Sequence, residues 1–112
     1  MLNIEKVCRL YSAGVDVRMR RKCSLEEDSL NKGFWDLSLW EVNVYLPNIE
    51  SREDFHITLI HEFIHAQKDY SNHKQGKDRL VEELAKQIYK ANPNLVLEII
   101  ELYELRVPKR FR

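Results

Sequence analysis

Two histidines and a glutamate have the residue types and the spacing that most directly indicate chemistry. His61, Glu62 and His65 stand in the order HExxH. In a helix the two imidazoles lie about one turn apart on one face, close enough to bind a single zinc ion. Glu62 is rotated by about 100° from His61, so its carboxylate stands beside the ion and can accept a proton from water. The pattern predicts a hydrolytic zinc site.

The residues around this motif predict the helix that the chemistry requires. Ser51 and Asp54 form a capping box, and the helical pattern continues to about Asp69. A helix that is apolar over most of its circumference should not gather ionisable side chains on the remaining sector unless something polar binds them. The alternative is two surface histidines beside a solvated glutamate. The apolar arc consists of Phe55, Ile57, Leu59, Ile60, Phe63, Ile64 and Ala66.

A third zinc ligand must come from downstream, because a catalytic zinc usually has three protein ligands and leaves one position to water. The candidates are His73, Asp78, Glu82 and Glu83. Both glutamates lie on a second predicted helix, near 80–88, whereas His73 lies in the loop before it. Two imidazoles and a carboxylate at a hydrolytic site favour zinc over other divalent metals.

The remaining patterns predict an α+β fold with the element order α-β-β-α-α-α. It comprises a short antiparallel or mixed sheet packed on the motif helix, the glutamate helix and a C-terminal helix. Trp35 and Leu37 indicate either a bulge or a further strand before the second predicted strand. The other predicted elements are a helix over 3–13, strands over 15–20 and 40–46, a loop over 24–33 that can hold one helical turn, and a helix over 94–106.

Size, composition and charge exclude several classes of protein. A chain of 112 residues predicts a single domain, 1–112, and 18 basic residues balance 18 acidic ones. No apolar run approaches the roughly 20 residues that cross a bilayer, and the first residues lack a signal-peptide pattern, so we expect a cytoplasmic protein without membrane contact. Cys8 and Cys23 form no CxxC pair and are expected to be reduced thiols.

Two basic segments could contact phosphate, namely 18–22 and the tail 109–112. A solvated strand edge and a frayed terminus explain them more simply, and we favour this interpretation. We therefore do not expect nucleic acid as a partner, although a nucleic-acid-associated regulator stays an alternative function.

The motif and the segment Glu82-Glu83-Leu84-Ala85 together resemble the gluzincin arrangement of zinc metallopeptidases. In that family a glutamate on a later helix is the third zinc ligand. The family pattern Glu-x-x-Ala matches Glu82, because Ala85 follows three residues later. The resemblance therefore implies one zinc ion per chain, held by His61, His65 and Glu82, with Glu62 as the catalytic base.

The other candidate ligands and the metzincin pattern match this sequence less well. Glu83 would place Lys86 where the pattern has alanine, so Glu83 ranks below Glu82, and His73 ranks third. Lys86 also stands where some relatives carry an aspartate that supports a histidine ligand. The metzincin pattern, HExxHxxGxxH, is not matched, since Lys68 and Ser71 occupy its glycine and histidine positions.

The small size, with the motif near the middle, is similar to the minigluzincins, which are minimal archaeal metallopeptidases. These are described as latent zymogens whose C-terminal segment blocks the cleft, either within one chain or by a helix exchanged between two. The resemblance implies a zincin-like fold, a peptide or protein substrate, 94–112 as a latency segment, and a homodimer formed by helix exchange. In 95–105 only a narrow stripe of three glutamates is polar, so this helix should be buried on more than one side. A central core helix in a monomer would show the same pattern.

The expected reaction is peptide hydrolysis. Zinc lowers the pKa of its bound water, Glu62 removes the proton and later returns it to the leaving amine, and Tyr103 or His73 stabilises the oxyanion. The strand over 40–46 is expected to hold an extended peptide along its edge. The main alternative is a non-catalytic zinc-binding module, in which Glu62 would have no role.

Overall fold

The structure is a computed structural model that describes residues 1–22 and 30–112. It has an α+β fold, as the sequence predicted, with four α-helices and a sheet of three strands rather than two. Cys23 and residues 24–29 of the loop predicted over 24–33 lie outside the described residues, whereas Cys8 is an exposed free thiol. The elements are α1 (Ile4–Ser12), β1 (Asp16–Arg20), β2 (Gly33–Asp36), β3 (Glu41–Tyr45), α2 (Arg52–Tyr70), α3 (Asp78–Ala91) and α4 (Leu95–Tyr103), with 3-10 turns at Leu46–Asn48 and Lys109–Phe111.

The sheet is mixed, and its strand order is β1-β3-β2. The central strand, β3, pairs in parallel with β1 and antiparallel with β2. Of the two interpretations of Trp35 and Leu37, the further strand is confirmed, because Trp35 lies in β2 opposite Val42. Thus β1 and β2 are the edge strands, and the central strand β3 leads through the 3-10 turn at Leu46–Asn48 to the start of α2.

The two faces of the sheet differ in chemistry. Val42 and Val44 of β3 are fully buried and belong to the hydrophobic core that α2 shares. On the other face, the Glu41 carboxylate forms ion pairs with two arginines of β1. Its Oε1 lies 2.8 Å from Arg20 Nη2, and its Oε2 lies 3.3 Å from Arg18 Nε. The basic residues of β1 are therefore neutralised by an acidic residue of the neighbouring strand.

Helix α2 is the element against which the rest of the fold packs. It begins as predicted, with the Ser51 hydroxyl accepting a hydrogen bond from the backbone N–H of Asp54 at 3.1 Å. Phe55, Leu59 and Phe63 have no exposed surface. Burial of these apolar side chains supplies the driving force that fixes the helix in the core.

The C-terminal segment packs on α1 and α2. Leu95, Val96 and Ile99 of α4 are buried, and the Phe111 ring stacks on Phe55 with 5.8 Å between centroids. Helix α4 is shorter than predicted, since Glu104 adopts a left-handed conformation (φ 53°) that ends it. Among the described residues no helix combines the length and the apolar character needed to cross a bilayer.

Candidate metal centre

Helix α2 places His61, Glu62 and His65 as the sequence predicted, within one continuous helix. The ring nitrogens Nε2 of His61 and His65 lie 3.1 Å apart. Both imidazoles are largely covered, with 15% and 14% of their side-chain surfaces exposed. One turn of helix therefore brings the two rings to a common point in a partly closed space.

The opposite nitrogen of each ring, Nδ1, bonds to an oxygen. His61 Nδ1 donates to Glu82 Oε1 at 3.0 Å, and His65 Nδ1 donates to Gln75 Oε1 at 2.8 Å. The amide nitrogen of Gln75 donates to the His65 backbone carbonyl at 2.8 Å, so its oxygen is the end that faces the ring. Both imidazoles are therefore held as the tautomer with the proton on Nδ1 and a lone pair on Nε2.

A carboxylate of α3 completes the group of acceptors. Asp78 Oδ1 lies 3.1 Å from His65 Nε2 and 3.8 Å from His61 Nε2. Ligand atoms of these three residues lie within 4.8 Å of one another. Lone pairs that face each other at these distances repel unless a proton or a metal ion lies between them, and two imidazoles with one carboxylate are a ligand set that zinc accepts. The residues present fit a metal ion.

The other predicted ligands lie elsewhere. Glu82 contacts His61 through Nδ1, the nitrogen that does not face His65. Glu83 and His73 are exposed and do not line the cavity described below. Of the four downstream candidates, the structure brings Asp78 and Glu82 to the histidines, each on a different side of the His61 ring.

Glu62 lies beneath the edge strand β2. A Cβ atom on Gly33 would lie 2.9 Å from Glu62 Cγ and 3.0 Å from Oε2, so only glycine lets the backbone approach this closely. Burial raises the pKa of Glu62 to about 8, with further increases from Asp78 and Glu82, whereas a hydrogen bond from the Trp35 backbone N–H lowers it. The Glu62 carboxylate is thus more basic than that of an exposed glutamate, and without a cation nearby the group holds its proton at neutral pH.

A cavity of about 810 Å³ opens over these residues. Strand β2 and the residues beside it form one wall, α3 forms the opposite wall, and α2 forms the floor. The wall beside β2 is mainly apolar, although Asn31 and Lys32 also belong to it, and the α3 wall is charged. The lining includes Leu30, Phe34, Trp35 and Leu37 on the first wall, Asp78, Arg79 and Glu82 on the second, and Thr58, His61, Glu62 and His65 on the floor.

Two expectations about the surroundings of the site are wrong. The strand predicted over 40–46 is β3, which pairs on both sides and leaves no free edge for a peptide; β2 borders the cavity instead. Tyr103 does not reach the cavity, because its hydroxyl donates to the Val15 carbonyl at 2.8 Å. Burial there raises the pKa of Tyr103. Neither of these long-range contacts leaves a signal in the local pattern.

Sequence reasoning overlooked two residues at the site. Gln75 lies in an irregular loop whose pattern gives no direction to its side chain. Gly33 could have been noticed as a glycine within a strand pattern, which often marks a close backbone approach. The spacing of four between Asp78 and Glu82 also places both carboxylates on one face of a helix, which was a readable signal.

Comparisons of the chain with protein-family models, with curated proteins and with solved structures found no match. What the site does must therefore be argued from its geometry.

Proposed function

We propose that the protein is a zinc-dependent metallopeptidase. The observation that carries the proposal is the convergence of His61 Nε2 and His65 Nε2 with a carboxylate oxygen of α3, beside the buried carboxyl group of Glu62. A structural zinc site has no need of this fourth group. A hydrolase needs a proton acceptor at that place.

The metal would be held by the two imidazoles and a carboxylate from α3. When bound, zinc supplies a Lewis acid that brings the pKa of water towards about 7 and polarises a carbonyl group. Glu82 and Gln75 keep the Nδ1 protons of His61 and His65 in place, so both Nε2 lone pairs stay available.

Glu62 moves the proton during the reaction. Its carboxylate accepts a proton from the attacking water and returns it to the leaving amine, which cannot depart as an anion. The Trp35 backbone N–H holds the carboxylate, and β2 shields it from bulk water. Because Glu62 is only 7% exposed, its proton exchanges mainly with groups inside the cavity.

A peptide fits the cavity better than a small polar substrate does. On the side away from β3, strand β2 has no strand partner among the described residues. The Trp35 N–H bonds to Glu62, and the other main-chain groups of that edge can bind an extended chain. Phe34 and Leu37 beside it are about half exposed and can contact apolar side chains of that chain. We therefore propose peptides or proteins as substrates.

The first experiment measures zinc content and peptide hydrolysis in the full chain and in Glu62→Gln. The unchanged chain should hold one zinc ion and cleave an unstructured protein such as casein or a mixed peptide library. Glu62→Gln should keep the zinc and lose at least about 100-fold in kcat, which is the lower range for loss of a general base. Glu83→Gln, an exposed acid on the same helix as Glu82, serves as the matched control and should leave both unchanged.

Two results would contradict the proposal in different ways. Zinc without turnover in the folded protein would indicate the non-catalytic zinc module, in which Glu62 has no function. A folded protein that binds no zinc would remove the metal site altogether.

A further inference from the structure

The two carboxylates that α3 brings to the histidines occupy different positions. Asp78 and Glu82 are one helical turn apart and point to the same cavity. Each contacts His61, but on opposite nitrogens of the ring. One carboxylate can therefore share the metal with the histidines while the other bonds to the outer side of a ligand.

Asp78 has the position of a ligand. Its Oδ1 atom lies 3.1 Å from His65 Nε2, the same separation as that between the two Nε2 atoms. Donor atoms about 2.0–2.1 Å from one zinc ion in tetrahedral geometry are about 3.3 Å apart, and the distance of 3.8 Å to His61 Nε2 is only slightly longer. Three atoms at these separations can surround one ion without a change of backbone.

Glu82 has the position of a supporting group. Its Oε1 atom accepts the Nδ1 proton of His61 at 3.0 Å, and this bond requires the carboxylate to stand behind the ring. A carboxylate in this position fixes the tautomer and the ring orientation of a metal-binding histidine and raises its basicity. Gln75 does the same for His65 with a neutral amide, which also holds the His65 backbone carbonyl.

We propose that Asp78 is the third metal ligand and that Glu82 is a positioning residue for His61, as Gln75 is for His65. This assignment rests on the proposed metal site and replaces the expectation that Glu82 itself binds the ion. In this assignment the first residue of α3 supplies the ligand, while the rest of the helix packs on α2.

The test compares metal binding by Asp78→Asn, Glu82→Gln and Glu82→Ala in the full chain, with Glu83→Gln as the control. Affinity is measured with Zn²⁺ and Co²⁺ in competition with a chelator, and the visible absorption of bound Co²⁺ reports the ligands themselves. Asp78 is 85% exposed in its side chain, so Asp78→Asn should not disturb folding. Thermal unfolding of each metal-free variant checks this, and Asp78→Ala provides a second variant at that position.

The expected order separates a ligand from a positioning group. Asp78→Asn should lower the affinity by more than about 100-fold and change the Co²⁺ spectrum, because an anionic ligand is lost. Glu82→Ala should lower it by about 10- to 100-fold, as is typical of outer hydrogen-bond partners, with an unchanged spectrum. Glu82→Gln keeps an oxygen that accepts the Nδ1 proton, so its loss should be smaller than that of Glu82→Ala.

A larger loss of metal affinity in Glu82→Gln than in Asp78→Asn, or a changed Co²⁺ spectrum in Glu82→Gln, would overturn the assignment and make Glu82 the ligand. Equal losses in Asp78→Asn and Glu82→Gln would also overturn it. Failure of the proposed function looks different: either the unchanged chain binds no metal, or it binds metal with this variant order but shows no peptide hydrolysis.

Discussion

His56 is a titratable residue that lies in the core, away from the candidate metal centre. It has no exposed surface, and neither buried ring nitrogen makes a hydrogen bond of ordinary geometry within the described part of the chain, although the nearby Phe111 backbone favours the protonated ring. The Tyr89 ring contacts it edge-on, with 5.3 Å between centroids. Burial lowers the pKa of His56 from 6.5 to about 4, and the positive charge of Arg52 lowers it further. The neutral imidazole is therefore the form that the core accepts.

This leads to a prediction about stability in acid. The unfolded chain binds the His56 proton at a higher pH than the folded chain does, so stability should fall as the pH decreases from about 6.5 to 4. One pKa unit corresponds to about 1.4 kcal/mol, which makes the His56 contribution about 3 kcal/mol. Between pH 7 and pH 4, the free energy of unfolding should therefore decrease by about 3 kcal/mol less in His56→Phe than in the unchanged protein. Urea unfolding with a chelator present measures this difference.

An exposed histidine provides the control for this experiment. His73→Gln lies in the loop after α2 and should leave the pH dependence as it is. The contributions of His61, His65 and Glu62 are common to all three proteins and cancel in the comparison. If the free energy of unfolding depends on pH in the same way in His56→Phe and in the unchanged protein, His56 does not resist protonation.

At the scale of elements, the contact between β2 and α2 positions the site. Gly33 lets the β2 backbone lie directly on Glu62 and Thr58, whose Cγ2 atom would be 3.0 Å from an added Cβ. Neither neighbour is free to retreat, because both side chains are buried on α2. The position of the strand over the Glu62 carboxylate therefore depends on the absence of one methyl group.

Gly33→Ala should consequently destabilise the protein and damage the site together. An extra methyl group in a packed interior costs about 1–3 kcal/mol, and here the shift moves β2 away from Glu62. The matched control is Gly76→Ala, where the added Cβ meets only Lys68 Nζ, the end of a flexible side chain, at 3.0 Å. Urea unfolding and peptide hydrolysis should both decline in Gly33→Ala and change little in Gly76→Ala, and equal effects would contradict the packing argument.

The elements that the sequence predicted well are those whose pattern is local. Helix α2 follows from its cap at Ser51 and its apolar arc, and both lie within the helix itself. The end of α4 does not follow in this way, because Glu98, Glu101 and Glu104 continue the polar stripe although the helix stops at Tyr103. Its end coincides with the hydrogen bond between Tyr103 and Val15, two residues far apart in the chain.

The site shows the same division. His61, Glu62 and His65 share one helix, so their spacing alone fixes their geometry. The choice between Asp78 and Glu82 depends on how the loop after α2 directs the start of α3, which no periodicity records. The resemblance to gluzincins selected Glu82 by its neighbour Ala85, but Ala85 is a fully buried residue of α3 and packing explains it equally well.

For the whole molecule, the question is what the C-terminal segment 94–112 does. Latency would require this segment to cover the cavity. Among the described residues, however, none that lines the cavity comes after Glu82 in the sequence. The segment instead contributes Leu95, Ile99 and Phe111 to the core. Within one chain it therefore supports the fold on which the site is built, and blocking a cleft would require exchange with a second chain.

Truncation after Pro93 should therefore abolish folding rather than release activity. It removes five buried apolar side chains, each of which stabilises a fold by about 1.5–3 kcal/mol, and the sum is comparable to the total stability of a small domain, about 5–15 kcal/mol. The truncated chain should lack a cooperative thermal transition in circular dichroism, whereas deletion of the exposed Arg112 alone should preserve it. A truncated chain that unfolds cooperatively and cleaves peptides faster than the full chain would instead establish 94–112 as a latency segment. The five side chains belong to Leu95, Val96, Ile99, Val107 and Phe111.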